Sequence, residues 1–205
     1  MIYKPDSRMC FPDAAIVTHL SGEVAQICGK DLLLSEENVE ELAHAVARFL
    51  RDQKREDYVE SNYLVMLASR ALSSVGEGAA ARRLLLFGTG LIRPAEWEVT
   101  AGREMWVLDL KKMTVRDDAP LELLFFNSLN VVLESIADIW DESSGKGALG
   151  LRHVHAAVSS LAGRTSVDER TSLAREIKAV CDGKLEQVGT EREWSGVPEV
   201  LILDL

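Results

Sequence analysis

The first ninety residues repeat hydrophobic positions at the spacing of α-helices. Apolar side chains recur every three or four residues in four segments, which predict helices over residues 13–28, 35–50, 61–75 and 79–87. Ser35 and Ser61 stand where helix N-caps are expected. Residues 2–4 and the return of the chain toward Phe11 are predicted to form a short strand and turn. The sequence therefore predicts a helical bundle with a small sheet as a first domain, over residues 1–92.

Beyond Arg93-Pro94 the hydrophobic positions change to a period of two, which is typical of strands. Trp97 and Val99, the turn at residues 101–104 and the segment Trp106-Val107-Leu108-Asp109-Leu110 predict a β-hairpin. Three helical patterns follow, one behind Pro120, one over residues 149–161, and one that begins at the Ser166-Glu169 capping box and is expected to end at Gly183.

The chain closes with an apolar stretch that predicts a C-terminal strand. Its Leu201-Ile202-Leu203-Asp204-Leu205 is similar to residues 106–110, so we expect the two strands to be neighbours in one sheet. The second predicted domain, residues 93–205, thus contains a hairpin, three helices and this strand. The fold class predicted for the whole chain is α+β and mostly helical.

Charge and composition narrow the classes of partner. The formal net charge is −10 and the pI is near 4.9, so the long-range field repels phosphate backbones and duplex nucleic acid is not expected as a partner. No apolar run reaches the roughly 18 to 20 residues that span a bilayer, and the N-terminus carries no signal-peptide pattern. We therefore expect a cytoplasmic protein with no membrane partner.

Residue types that carry chemistry are sparse and scattered. Cys10, Cys28 and Cys181 are widely spaced, so structural thiols are predicted rather than a metal or redox site. Asp109 and Asp204 each stand near the end of a predicted strand and are interpreted as solvent-facing edge charges. His153 and His155 lie two apart in a predicted helix, where they would point in different directions and could not chelate one metal ion. No catalysis is expected from this set.

The first residues have a cationic pattern. Lys4 and Arg8 flank Asp6, and Phe11 follows just before the first predicted helix. With the order of the helices behind it, and with the Gly78, Ala79-Ala80 and Phe87 that close the segment, this opening resembles the ATP-cone. That family is a small nucleotide-binding regulatory domain found at the start of ribonucleotide reductases and in the repressor of their genes. The resemblance covers a little under half of the chain.

The resemblance implies a regulatory site for ATP or dATP, with Mg²⁺ as a possible companion of the phosphates. Lys4, Asp6 and Arg8 would be its residues, with Lys4 and Arg8 facing the phosphates. Without a ligand, the three residues would be a solvated turn with a local salt bridge. Arg82 and Arg83 leave a similar choice, between covering apolar surface with their stems and contacting an anion.

The function expected on this basis is that of a nucleotide-responsive regulatory or sensor protein, in which a protein partner or self-association reads out the bound nucleotide. Two departures from the family pattern support an alternative. Ser7 stands where the family has a glycine, and Pro5 replaces a basic residue and removes an N–H donor. The alternative is a helical interaction or oligomerisation module that has lost nucleotide binding.

Overall fold

The computed structural model describes residues 8–10, 13–29, 33–53, 58–94, 105–113, 121–140, 147–162 and 166–204. The chain forms two compact units, Met1–Gly90 and Leu91–Leu205. The prediction of a mostly helical α+β fold is confirmed. Arg93 and Pro94, where the sequence changes its periodicity, lie in the first strand of the second unit.

The first unit is a helical bundle beside two short strands. In chain order its elements are β1 (Arg8–Cys10), α1 (Asp13–Cys28), α2 (Glu36–Gln53), β2 (Tyr58–Glu60), α3 (Ser61–Ser74) and α4 (Gly78–Arg83). A π-helical turn, Leu84–Gly88, continues α4. β1 and β2 pair antiparallel, with Met9 opposite Val59. The four predicted helices are therefore all present.

The core of this unit forms where the apolar stripes of the helices meet. Leu20, Leu64, Leu72 and Leu84 are essentially fully buried, and each such side chain contributes about 1.5 to 3 kcal/mol relative to an exposed one. Phe49 of α2 is not part of this core and is 46% exposed. It lies one position from the buried Leu50, on the outer edge of the stripe.

Two of the helix ends show how the sequence sets the boundaries. The Ser35 hydroxyl accepts a hydrogen bond from the Asn38 N–H at 3.3 Å, as predicted for an N-cap. α3 ends in a Schellman motif: the Glu77 N–H donates to the Leu72 carbonyl, and Gly76 adopts a φ of 91°. The predicted Ser61 cap is wrong, because Ser61 is the buried first residue of α3 and Glu60 precedes it.

The second unit is built on a four-stranded sheet. Its elements are β3 (Ile92–Pro94), β4 (Met105–Asp109), a 3₁₀ turn (Leu110–Met113), α5 (Leu121–Ile139), β5 (Ala148–Arg152), α6 (Val154–Ala162), α7 (Val167–Glu191) and β6 (Glu199–Ile202). The strand order is β3-β4-β5-β6. β3 is antiparallel to β4, whereas β4, β5 and β6 are parallel. Trp97, Val99 and the predicted turn at 101–104 lie outside the described residues.

β5 corrects two predictions. Residues 149–152 were expected to form the start of a helix over residues 149–161, but they belong to β5, the strand between β4 and β6. The C-terminal strand therefore pairs with β5 and is not a direct neighbour of the hairpin strand. Ala148, Leu149, Gly150 and Leu151 are all buried. A strand buried on both faces has a continuous apolar run, which periodicity cannot distinguish from a buried helix.

The helices of this unit pack against one another through α7. α5 and α6 both contact α7. Lys184 of α7 forms an ion pair with Glu134 of α5 at 2.7 Å, and the Arg192 guanidinium donates to the Ala137 carbonyl at 3.0 Å. The Trp106 and Trp140 rings lie 4.5 Å apart between centroids, and both residues are buried. Trp106 is therefore a core residue, not the exposed aromatic that an association surface would use.

α7 also extends past the glycine at which it was expected to end. The helix runs through Gly183 to Glu191, because Cys181, Leu185 and Val188 continue its buried stripe. Its start is as predicted, since Ser166 and Glu169 form a complete capping box. The burial of the second half of α7 outweighs the roughly 1 kcal/mol that an interior glycine costs.

The two glycines of α7 give a test of this packing. A Cβ at Gly183 would meet nothing within 4 Å, whereas one at Gly189 would lie 3.0 Å from Val197 Cγ2 and 3.3 Å from Trp194 Cε3. We expect Gly183→Ala to raise the free energy of unfolding by about 0.5 to 1 kcal/mol, because alanine favours the helix. The matched variant Gly189→Ala should lower it. Urea unfolding measures both, and a loss of stability in Gly183→Ala would contradict the packing described for α7.

Candidate functional site

The residues predicted to bind nucleotide lie at the start of the first unit. Lys4 and Asp6 fall outside the described residues. Arg8 is the first residue of β1, opposite Glu60 of β2. The structure thus attaches the end of the cationic segment, through its backbone, to the strand that leads directly into α3.

Arg83 has a structural role within the helical bundle. Its Nε–H donates to the Ile27 carbonyl at 2.8 Å, and its guanidinium carbon lies 5.2 Å from the centroid of the Phe87 ring. Ile27 is in the last turn of α1, where carbonyls have no partner within the helix. Arg83 therefore joins the end of α1 to the π-helical turn, which favours the structural interpretation of this residue over an anion contact.

In the second unit, three polar residues from distant parts of the sequence come together. His153 Nδ1 lies 2.7 Å from Asp109 Oδ1. The His153 backbone N–H donates to Asp204 Oδ1 at 2.5 Å, and the His155 N–H donates to Asp204 Oδ2 at 3.1 Å. We refer to Asp109, His153 and Asp204 as the strand-end cluster, because each stands at or just after the carboxyl end of a parallel strand.

The topology of the sheet explains this convergence. Asp109 ends β4, His153 follows β5, and Asp204 lies two residues after β6. Parallel strands direct their carboxyl ends to the same edge of a sheet, and in open α/β sheets that edge is where ligands bind. The similar segments at residues 106–110 and 201–205 therefore place their aspartates at equivalent positions, on either side of β5.

His153 connects β5 to α6 with unusual backbone geometry. Its φ is 60°, in the left-handed region that non-glycine residues adopt infrequently. As the residue before α6, it occupies the N-cap position, where a histidine is a poor cap. Asp204 supplies the missing cap from the far end of the chain by accepting the N–H groups of His153 and His155. The Asp204 carboxylate thus stabilises the left-handed backbone conformation of His153.

The imidazole of His153 is oriented by Asp109. The side chains of His153 and Asp109 are 37% and 22% exposed. Asp109 Oδ1 also accepts the Lys111 N–H at 3.1 Å, which fixes the carboxylate. A bond from Nδ1–H to a carboxylate leaves the lone pair on Nε2 in the neutral ring. Within the described part of the chain, no residue forms a hydrogen bond with Nε2.

The cluster corrects the interpretation of its residues made from sequence. Asp109 and Asp204 were predicted to be solvent-facing edge charges, but each accepts hydrogen bonds from a neighbouring segment. His153 was placed inside a helix, whereas it precedes one. The signal that could have revealed the cluster was the repeated aspartate of the two similar segments. It was missed because the strand between them was predicted as a helix.

Neither a metal-ligand group nor a membrane-spanning helix is found among the described residues. Among those residues, no group of three or more His, Cys, Asp or Glu side chains is arranged to hold a metal ion. Cys28 and Cys181 are buried free thiols, as the sequence predicted. In the same regions, no helix combines the length and the apolar character needed to cross a bilayer.

Comparison with known proteins identifies no relative of this chain. No family model, no curated protein and no solved structure matches it. A functional assignment therefore depends on the residues themselves and on the geometry described above.

Asp204 provides a direct test of the cluster. Removing its carboxylate in Asp204→Ala leaves the first N–H groups of α6 without their cap, so we expect a loss of about 1 to 2 kcal/mol in the free energy of unfolding. Glu176→Ala, an exposed change on α7, is the matched control and should have little effect. Chemical unfolding measures both variants. Equal stabilities would show that Asp204 does not cap α6.

Cys181 gives a test that depends on pH. Burial raises the pKa of its thiol to about 12, from 9.0. Between these values the unfolded chain loses the proton while the folded chain keeps it, so the free energy of unfolding falls as pH rises. We expect the stability advantage of the parent protein over Cys181→Ala to shrink by up to about 2 kcal/mol from pH 8 to pH 10.5. An advantage that stays constant across this range would contradict the prediction.

Proposed function

We propose that this protein is a nucleotide-responsive regulatory protein whose N-terminal unit binds ATP or dATP, with Mg²⁺ on the phosphates. Lys4, Asp6 and Arg8 are the proposed site residues. The observation that best supports this is the pairing of β1 with β2, because it holds the backbone of Arg8 in the folded unit. A triphosphate needs cations at fixed positions, and the strand pairing fixes the backbone that bears the Arg8 side chain.

Because the protein is acidic overall, an anion can bind only where cations are concentrated locally. With a net charge of −10, the protein does not attract anions in general. A nucleotide would be held only where cations and N–H donors are concentrated, and the spacing of Lys4 and Arg8 is the feature of the N-terminal sequence that offers this.

The bundle also has the internal connections that a regulatory unit needs. The Ser69 hydroxyl donates to the Ala81 carbonyl at 2.8 Å, and Cys28 Sγ donates to the Ala80 carbonyl at 3.2 Å. With Arg83 bonded to Ile27, α1 and α3 are both tied to α4 and the turn after it. A ligand that stabilises β1 therefore acts on a unit whose helices are joined by these hydrogen bonds. The proposed consequence is a change in association with a partner or with a second copy.

A second candidate is the interaction module without a ligand. In the second unit, Leu123, Leu124 and Val131 of α5 and Val167 of α7 are large apolar residues with at least half of their surface exposed. Leu124 and Val131 are seven positions apart and so share one face of α5. Exposed apolar residues on one helix face favour protein contact.

A thermal-shift measurement tests the nucleotide proposal. The full chain is melted with and without millimolar ATP or dATP and Mg²⁺. At 100 times the dissociation constant, a ligand adds about 2.7 kcal/mol of stability, which raises the melting temperature by several degrees. We expect this rise in the parent protein and its loss in Lys4→Ala/Arg8→Ala, because the phosphates lose both cations.

The matched control is Arg48→Ala/Arg70→Ala, which removes two exposed positive charges from α2 and α3. It should keep the full shift. A shift that survives in the Lys4/Arg8 variant would place the nucleotide elsewhere. No shift with either nucleotide would reject the nucleotide proposal, and sedimentation of the unliganded protein would then test self-association through α5.

A further inference from the structure

We propose that Asp109, Arg152 and His153 form a binding site for a small anion that carries a phosphate or carboxylate group, with His153 as a proton acceptor for that anion. The site lies in the second unit and is independent of the proposed nucleotide site. Three observations support it: the part-exposed imidazole of His153 that Asp109 orients, the exposed Arg152 beside Asp109 in the sheet register, and the positive φ of His153.

Arg152 is placed next to Asp109 by the register of the sheet. The two residues are direct partners in the β4–β5 pairing, so their side chains leave the same face. Arg152 is exposed, and it makes no ion pair or hydrogen bond with any residue that the structure describes. Asp109 is instead bonded to His153 and to the Lys111 N–H. The planar guanidinium is thus free to bind a carboxylate or phosphate with two parallel hydrogen bonds.

His153 supplies the chemical step. Asp109 holds the Nδ1–H, so the Nε2 lone pair can accept a proton from an acidic O–H or C–H of the bound anion. The imidazole becomes an imidazolium, whose charge is balanced by Asp109, and the anion gains the electron pair of the broken bond. The proton then returns from Nε2 to the same atom of the bound anion, so the exchange balances without any other reactant. Asp109 is a positioning residue here, since it acts through the imidazole.

The backbone supports a functional reason for this arrangement. A histidine with a φ of 60° costs about 1 to 3 kcal/mol, and such residues concentrate at binding and catalytic sites. Asp204 offsets the cost by capping α6 through the N–H groups of His153 and His155. These N–H groups are therefore already used, and the anion is bound by Arg152 and His153 rather than by the helix N-terminus.

The test uses ¹⁵N-labelled full-length protein and the ring resonances of its histidines. In the free protein, His153 should show the tautomer with its proton on Nδ1, and Asp109→Asn should change that tautomer signature. Titration with inorganic phosphate or with succinate, in separate arms, should move the His153 resonances to saturation. The two arms distinguish a phosphate ligand from a carboxylate ligand.

The variants separate binding from folding. Arg152→Gln should weaken the response by about tenfold or more, because the bidentate contact is lost, while Arg175→Gln, an exposed change on α7, should leave it unchanged. His153→Asn keeps a residue that tolerates positive φ and an amide that can still donate to Asp109, so the fold should persist. It should also lose carbethoxylation by diethylpyrocarbonate at position 153, whereas His155→Gln should retain it.

Two results would overturn the proposal. One is the absence of a saturable His153 response to both anions in a folded protein. The other is an equal response in Arg152→Gln and Arg175→Gln, which would mean that the anion does not bind through Arg152. In either case the Asp109–His153 bond would be a structural tie between β4 and α6. Neither result depends on nucleotide binding at Lys4 and Arg8.

Discussion

The burial of β5 on both of its faces is the constraint on which the second unit depends. The strand lies between β4 and β6, and Leu149 and Leu151 are fully buried on the face that carries the side chains of Trp106 and Val200. On the other face, a Cβ at Gly150 would lie 2.5 Å from Leu203 Cδ1 and 2.7 Å from Met105 Cε. A side chain at position 150 would therefore require Leu203 and Met105 to move, so the present packing on this face of the sheet fits glycine.

The same constraint produces the strand-end cluster. Once β4, β5 and β6 run parallel, the chain must turn at one edge to begin α6, and the end of β6 arrives beside that turn. The Leu203 N–H still bonds to the Leu151 carbonyl, so the sheet holds Asp204 next to the first N–H groups of α6. The two N–H groups stabilise the charge of the Asp204 carboxylate. The carboxylate in turn provides a hydrogen-bond partner for N–H groups at the start of α6 that have none within the helix. The strand-end cluster is thus a consequence of the apolar packing of the parallel strands.

The sequence predicted those features that depend on local patterns. The helices of the first unit, the Ser35 cap, the capping box of α7 and the buried thiols all follow from a few neighbouring residues. It did not predict features set by distant contacts. Residues 148–151 form a strand because they are covered from both sides, and Gly183 is helical because Leu185 and Val188 beyond it are buried. His153 and Asp204 are 51 positions apart, and the repeated aspartate of the two similar segments does not by itself indicate that His153 is the partner of Asp204.

The two units therefore raise functional questions of different kinds. In the first, the proposed ligand follows from the resemblance of the opening sequence to the ATP-cone, and the fold adds only the anchoring of Arg8 through β1. In the second, no motif suggested a site, and the geometry alone brings together an oriented imidazole, a carboxylate and an uncommitted guanidinium.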